Sequence, residues 1–159
     1  SGDWTNFSGR FYINTAGKIA IESSDPAVAD VASGLESIYY GIDSEPAVKY
    51  LTPFGLLEGV RTINFSARDN VLNIEVVKST IAYVDGSKPV SALSVSGDQY
   101  HSGKVYISTR TQIIITAEDP AVNNVASGVR ETRYSVDGGA YADHVPFALS
   151  AEEIAAEAR

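Results

Sequence analysis

Asp25-Pro26-Ala27-Val28-Ala29-Asp30-Val31-Ala32-Ser33-Gly34 returns further along the chain as Asp119-Pro120-Ala121-Val122-Asn123-Asn124-Val125-Ala126-Ser127-Gly128. The match extends outward without a gap. Gly9 to Asp43 lies on Gly103 to Asp137 with 16 identities in 35 positions. Tyr40-Gly41-Ile42-Asp43 falls on Tyr134-Ser135-Val136-Asp137, and after a single-residue gap Pro53-Phe54 falls on Pro146-Phe147. Self-similarity at a fixed offset marks a duplicated structural unit. The chain therefore reads as two copies of one fold.

Within each copy the apolar residues recur every second position. Ile19 and Ile21 alternate with Lys18, Ala20 and Glu22, and their counterparts are Ile113 and Ile115. Ile38, Tyr40 and Ile42 alternate with smaller or more polar neighbours, and Ile63, Phe65 and Ala67 with Thr62, Asn64 and Ser66. This period buries one face of a strand and wets the other. Thr15-Ala16-Gly17, Ser33-Gly34, Asp85-Gly86 and Asp137-Gly138-Gly139 supply turns between the runs. Short strands punctuated this way predict an all-β chain of two tandem immunoglobulin-like or fibronectin-III-like β-sandwich repeats.

The pattern predicts strands at Ile19–Ser23, Leu35–Ile42, Arg61–Ala67, Ile74–Val84 and Val90–Val95, with short pieces at Val48–Tyr50 and Phe54–Leu57. Residues 1–85 form the first repeat and 86–159 the second, joined through Asp85-Gly86-Ser87-Lys88-Pro89. On this register the first copy lacks the opening strand that Val90–Val95 supplies in the second, and the second lacks a counterpart of Ile74–Val84. Either the array continues in both directions or a neighbouring chain supplies an edge strand. The tail from Ser150 to Arg159 conflicts with the map. Ser150 and Glu153 have capping-box spacing in an Ala- and Glu-rich run, which predicts a short turn or helix.

The composition narrows the function. Twelve Lys and Arg against 20 Asp and Glu leave a net charge of −8, the wrong sign for a phosphate backbone, so no nucleic-acid partner is expected. Cysteine is absent, which removes disulfides, thiolate metal sites and cysteine nucleophiles. Methionine is absent too, and the chain reads as excised from something longer. No stretch is long and apolar enough for a membrane helix, so membrane insertion by this segment is not expected. His101 and His144 fall in loops without an evident nucleophile or metal cluster, and no catalytic motif is present. The chain is expected not to be an enzyme. Asn6-Phe7-Ser8 and Asn64-Phe65-Ser66 match the glycosylation sequon, a pattern frequent by chance.

Ala117-Glu118-Asp119, Ala126-Ser127-Gly128-Val129 and Tyr134-Ser135-Val136-Asp137-Gly138-Gly139-Ala140-Tyr141 together resemble a known unit. They are similar to the immunoglobulin-like surface repeats of bacterial outer-membrane and secreted multidomain proteins, of the OmpL type. The likeness is best over Thr111–Phe147. In the first copy Ala67-Arg68-Asp69-Asn70-Val71-Leu72-Asn73 resembles the family's Ala-x-Asp-x-Ala-Gly-Asn turn, with Leu72 where glycine is usual. The resemblance implies a structural or adhesive segment, extracellular or on the bacterial cell surface. It would act as a spacer whose partners are other repeats of the array and a host or matrix protein or glycan. An accessory or carbohydrate-binding module of a secreted polysaccharide-degrading enzyme is the alternative, and an assembly subunit completed by a partner β-strand is another.

Two sets of site residues follow. The loops Asp25–Gly34 and Arg68–Asn73 are expected at one end of the sandwich, where Asp25, Asp30, Asp69 and Asn73 offer oxygen ligands for calcium. The competing use of Asp25 and Asp69 is to accept hydrogen bonds from loop amides. Trp4, Tyr39, Tyr50 and Tyr141 lie off the core phase or in loops; of these Tyr141 and Trp4 are the candidate ligand-binding aromatics. Asp43 and Asp137 end a strand and open a turn, and Tyr40 and Tyr134 sit on the core phase.

Overall fold

The computed structural model describes residues 4–7, as backbone, and residues 9–150. The expected terminal turn or helix after Ser150 and the Trp4 side chain lie outside the described residues. The described chain is all-β, with strands in several sheets and no helix. It divides into two compact units. The first comprises Ser1–Ser87 with Ala121–Ser127, and the second Lys88–Pro120 with Gly128–Arg159. Against the expected division at residues 85 and 86, the units separate between Ser87 and Lys88, and the loop 121–127 belongs with the first unit.

The first unit is organised on a six-stranded sheet. Its strands are β1 (Trp4–Phe7), β2 (Arg10–Asn14), β3 (Leu35–Ile42), β4 (Val48–Lys49), β5 (Gly59–Asp69) and β6 (Lys78–Asp85), in the order β1-β2-β6-β5-β3-β4. All neighbours are antiparallel except β2 and β6, which run parallel with Ile13 opposite Val84. The alternation of β5 and β6 turns Ile63, Ala82 and Val84 inward, where each is almost fully buried. Ile13 and Leu56 complete this core, and Phe11, Ile19, Ile42, Phe54 and Phe65 pack around it. The turn after β2 is the expected Thr15-Ala16-Gly17. Asn14 Oδ1 accepts the amides of Ala16 and Gly17, and a side chain on Gly17 would collide with Ile13.

Three expected strands are corrected. Ile19–Ser23 and Phe54–Leu57 reduce to one bridge, in which Ile19 N–H donates to Phe54 O at 2.8 Å and Phe54 N–H to Ile19 O at 3.2 Å. The alternating pattern is present, but a ladder needs a neighbouring backbone along its length. The strand expected from Ile74 begins at Lys78, and Ile74 only bridges Arg68.

The second unit contains β7 (Val90–Ser96), β8 (Gln99–His101), β9 (Val105–Ile107), β10 (Gln112–Glu118), β11 (Arg133–Tyr134) and β12 (Ala142–Asp143). β7 pairs with β10 over seven residues, from Gln112 opposite Ser96 to Glu118 opposite Val90. β8 with β9 and β11 with β12 form two small antiparallel pairs. A hollow of about 500 Å³ opens beside Leu93, Val95, Val105, Ile107 and Ile113. At the aligned positions of the first unit, Ile13 and Ile19 are instead covered by the core residues of β5 and β6.

Candidate functional site

The turn Asp25–Gly34 and its aligned counterpart adopt the same backbone. Val28 and Val31 exchange two amide hydrogen bonds, as do Val122 and Val125. The two residues between them have positive φ in both places: 50° and 63° at Ala29 and Asp30, 50° and 62° at Asn123 and Asn124. This is the tight two-residue turn whose hand suits a twisted hairpin. Asp25 Oδ2 then accepts Gly34 N–H at 2.9 Å, and Asp119 Oδ2 accepts Gly128 N–H at 2.7 Å.

An aromatic cluster follows each turn along the chain. Tyr40 stacks on Phe54 at 4.0 Å, and Tyr134 on Phe147 at 4.1 Å. Tyr50, outside the strands just after β4, meets the first pair edge-on. His144 occupies the corresponding place in the second. Both are tied by the same backbone bond, Tyr50 N–H to Ile38 O and His144 N–H to Thr132 O, each at 2.8 Å. His144 Nε2 also accepts Ile115 N–H at 3.0 Å, so its proton sits on Nδ1, which is buried without a partner. The sequence reading placed His144 in a loop, where it lies, and missed its ring contacts; its offset of 94 from Tyr50, the repeat spacing, is the signal that could have found them.

The four calcium candidates are brought together only in part. Asp25, Asp69 and Asn73 line one hollow of about 280 Å³, together with Ser23, Arg68 and Glu75. Asp30 does not line it and sits at the turn tip. Three of the four carboxylate oxygens of Asp25 and Asp69 accept hydrogen bonds from the loops themselves. Asp25 Oδ2 takes Gly34 N–H and the Ser33 hydroxyl. Asp69 Oδ1 takes the amides of Val71 and Asn73, and its Oδ2 takes the Asn73 side-chain amide. Burial pushes the Asp69 carboxyl up, but the bonds from Asn73, Ser33 and Val71 outweigh it and hold it below the ordinary value. Among the described residues no three acidic or histidine side chains gather as a metal-holding group.

The aromatic candidates separate as well. Tyr141 is 67% exposed, with the Arg133 guanidinium 5.9 Å from its ring centre. Trp4 lies on β1, and only its backbone is described. Tyr39 packs under Arg68 at 5.4 Å. Asp43 has φ of 56° and Asp137 of 49°, as turn residues do. Asp43 is held below its usual range by the Thr62 amide first and then by Arg61.

The most built polar corner was not foreseen. Asp85 is 7% exposed at the end of β6. Its Oδ1 accepts Ser87 N–H at 3.0 Å, and its Oδ2 accepts Ser127 N–H at 2.6 Å. Glu58 Oε1 receives Gly86 N–H and the Ser87 hydroxyl, while Glu58 O receives the Asn123 side chain at 3.4 Å. Val125, in the same turn, has 1% of its surface exposed. Asp85-Gly86-Ser87, read from sequence as linker, is a socket for the turn 121–127.

Comparisons with family models, with curated proteins and with solved structures return no match to this chain. The function is therefore argued from the geometry and from the resemblance of the sequence.

Proposed function

We propose that this chain is a non-catalytic structural segment of a tandem-repeat, immunoglobulin-like β-sandwich protein on a bacterial cell surface, serving as a spacer with protein-binding capacity. One observation carries the reading. The turn, the aspartate-to-glycine bond and the aromatic stack are built twice at aligned positions, to within a few tenths of an ångström. Their polar groups are used to hold backbone. The short, mostly antiparallel strands in non-sequential order support the sandwich, and the resemblance of Thr111–Phe147 to surface repeats supports the location. In cells that make the parent protein, antibodies to the chain should label the intact surface, and external protease should remove the label. Labelling only after lysis overturns the surface assignment.

A second reading, an assembly unit completed by a partner strand, is favoured by Lys18–Ser23. This segment has one bridge where its counterpart β10 has a seven-residue ladder with β7. An open strand edge is a template for another backbone. Sedimentation should then reveal concentration-dependent association, and a strictly monomeric chain at high concentration rejects it.

A further inference from the structure

The turns Asp25–Gly34 and Asp119–Gly128 share eight of ten residues and the same backbone, yet their valines stand in opposite surroundings. Val122 and Val125 are 39% and 1% exposed; Val28 and Val31 are 76% and 74% exposed. The turn that carries Val125 is held against Glu58, Gly59 and Asp85 through Asn123 and Ser127, within the first unit. The exposed turn already holds the seated conformation without a socket. Asp25 fixes Gly34, and Asn70 clamps the turn from β5 through Gly34 O at 3.0 Å and Ser33 O at 2.8 Å. A surface preformed for its bound state loses little freedom on docking.

We infer that Val28–Ser33 is a docking knob for another repeat unit carrying the same Asp85-Gly86-Ser87 corner, joined upstream, so that successive repeats seat turn into socket. The inference rests on the tandem-repeat reading and names the contact by which the array propagates. Val31 would be seated as Val125 is, and Ser33 N–H would meet the carboxylate of the upstream Asp85 as Ser127 N–H does. The Asn123 contact would be lost, because Ala29 stands in its place, and Asp30 would replace Asn124, which lines the same corner. The occupant is chosen by the molecule itself: the near-identical turn is seated in this socket on the same chain.

The chain lacks cysteine, so single cysteines report exposure. In the native chain Val31→Cys should react with a thiol reagent at least about tenfold faster than Val125→Cys, as expected for an open against a buried site. Equal rates overturn the inference at once. A tandem variant is then made by joining residues 1–98 directly to residues 5–159, the point where the repeat aligns Gln99 with Thr5. In its downstream copy Val31→Cys should become as slow as Val125→Cys, and Asp85→Ala in the upstream copy should restore fast reaction. Fast reaction of the downstream Val31→Cys while Val125→Cys stays slow overturns the docking. That result leaves the surface-spacer reading intact, because cell labelling tests it independently.

Discussion

Leu72 stands at φ 72° and is 66% exposed, in the turn where the resembling surface repeats use glycine. A left-handed backbone costs a side-chain-bearing residue about 1–2 kcal/mol, and glycine's own entropy returns about half of that. Leu72→Gly should therefore raise unfolding free energy by about 0.5–1 kcal/mol, measured by urea denaturation; a loss of stability would show that the Leu72 side chain contributes packing. Asp69, three positions earlier, accepts three N–H groups of the same turn. Together with Asp25 it defines the calcium question. With those oxygens committed to the loops, calcium should leave Tm unchanged relative to chelator. A rise abolished by Asp25→Asn and Asp69→Asn would establish cation binding instead. That Asp25 and Asp69 sit in two loops was legible; which oxygens the backbone itself consumes was not, because the donors lie up to nine residues away in sequence.

At the scale of elements, β3 and β5 were legible because apolar residues alternate along both in sequence and the two strands pair along their length, with Ile38, Ile63 and Ala67 buried. Their cross-strand charges add a pH dependence. Glu36 on β3 is held at about 2, first by the Arg68 hydrogen bond, then by the Ser37 hydroxyl, with attraction from Arg68 and Lys49 adding to these against desolvation. A carboxyl depressed in the folded state stabilises above its unfolded value, near 4.5, and loses that contribution as pH falls through about 2. Glu36→Gln should consequently be less stable than the parent at neutral pH, with the difference shrinking below pH 4.5 and gone near pH 2. Denaturation midpoints across that range test it, and a pH-independent difference would assign the loss to packing. The hairpins β1–β2 and β8–β9 escaped the pattern because Phe11-Tyr12-Ile13 and Val105-Tyr106-Ile107 are unbroken apolar runs without alternation. Ile19–Ser23 erred the other way: its alternation is real, but strand formation is decided by the partner.

For the whole molecule the sharpest contrast lies between two valines in one repeated turn. Val125→Asp places a carboxylate in a site 1% exposed and should cost about 2–4 kcal/mol. Val31→Asp, at 74% exposure, should stay within about 0.5 kcal/mol in the native chain. Thermal denaturation measures both, and amide exchange should show residues 121–127 released only by the first. Equal effects would mean that the socket does not hold the turn. The sequence by itself determined that one segment with alternating apolar residues is written twice, that turn residues separate its runs, and that charge opposes a phosphate partner. Those properties follow from local sterics, periodicity and composition, which each copy carries within itself. Only the tertiary structure decided that Val125 is buried while Val31 is bare, that His144 takes the place of Tyr50, and that Asp85-Gly86-Ser87 is a socket. Burial is a relation between distant residues, so two turns of nearly the same sequence take opposite environments according to what stands beside them.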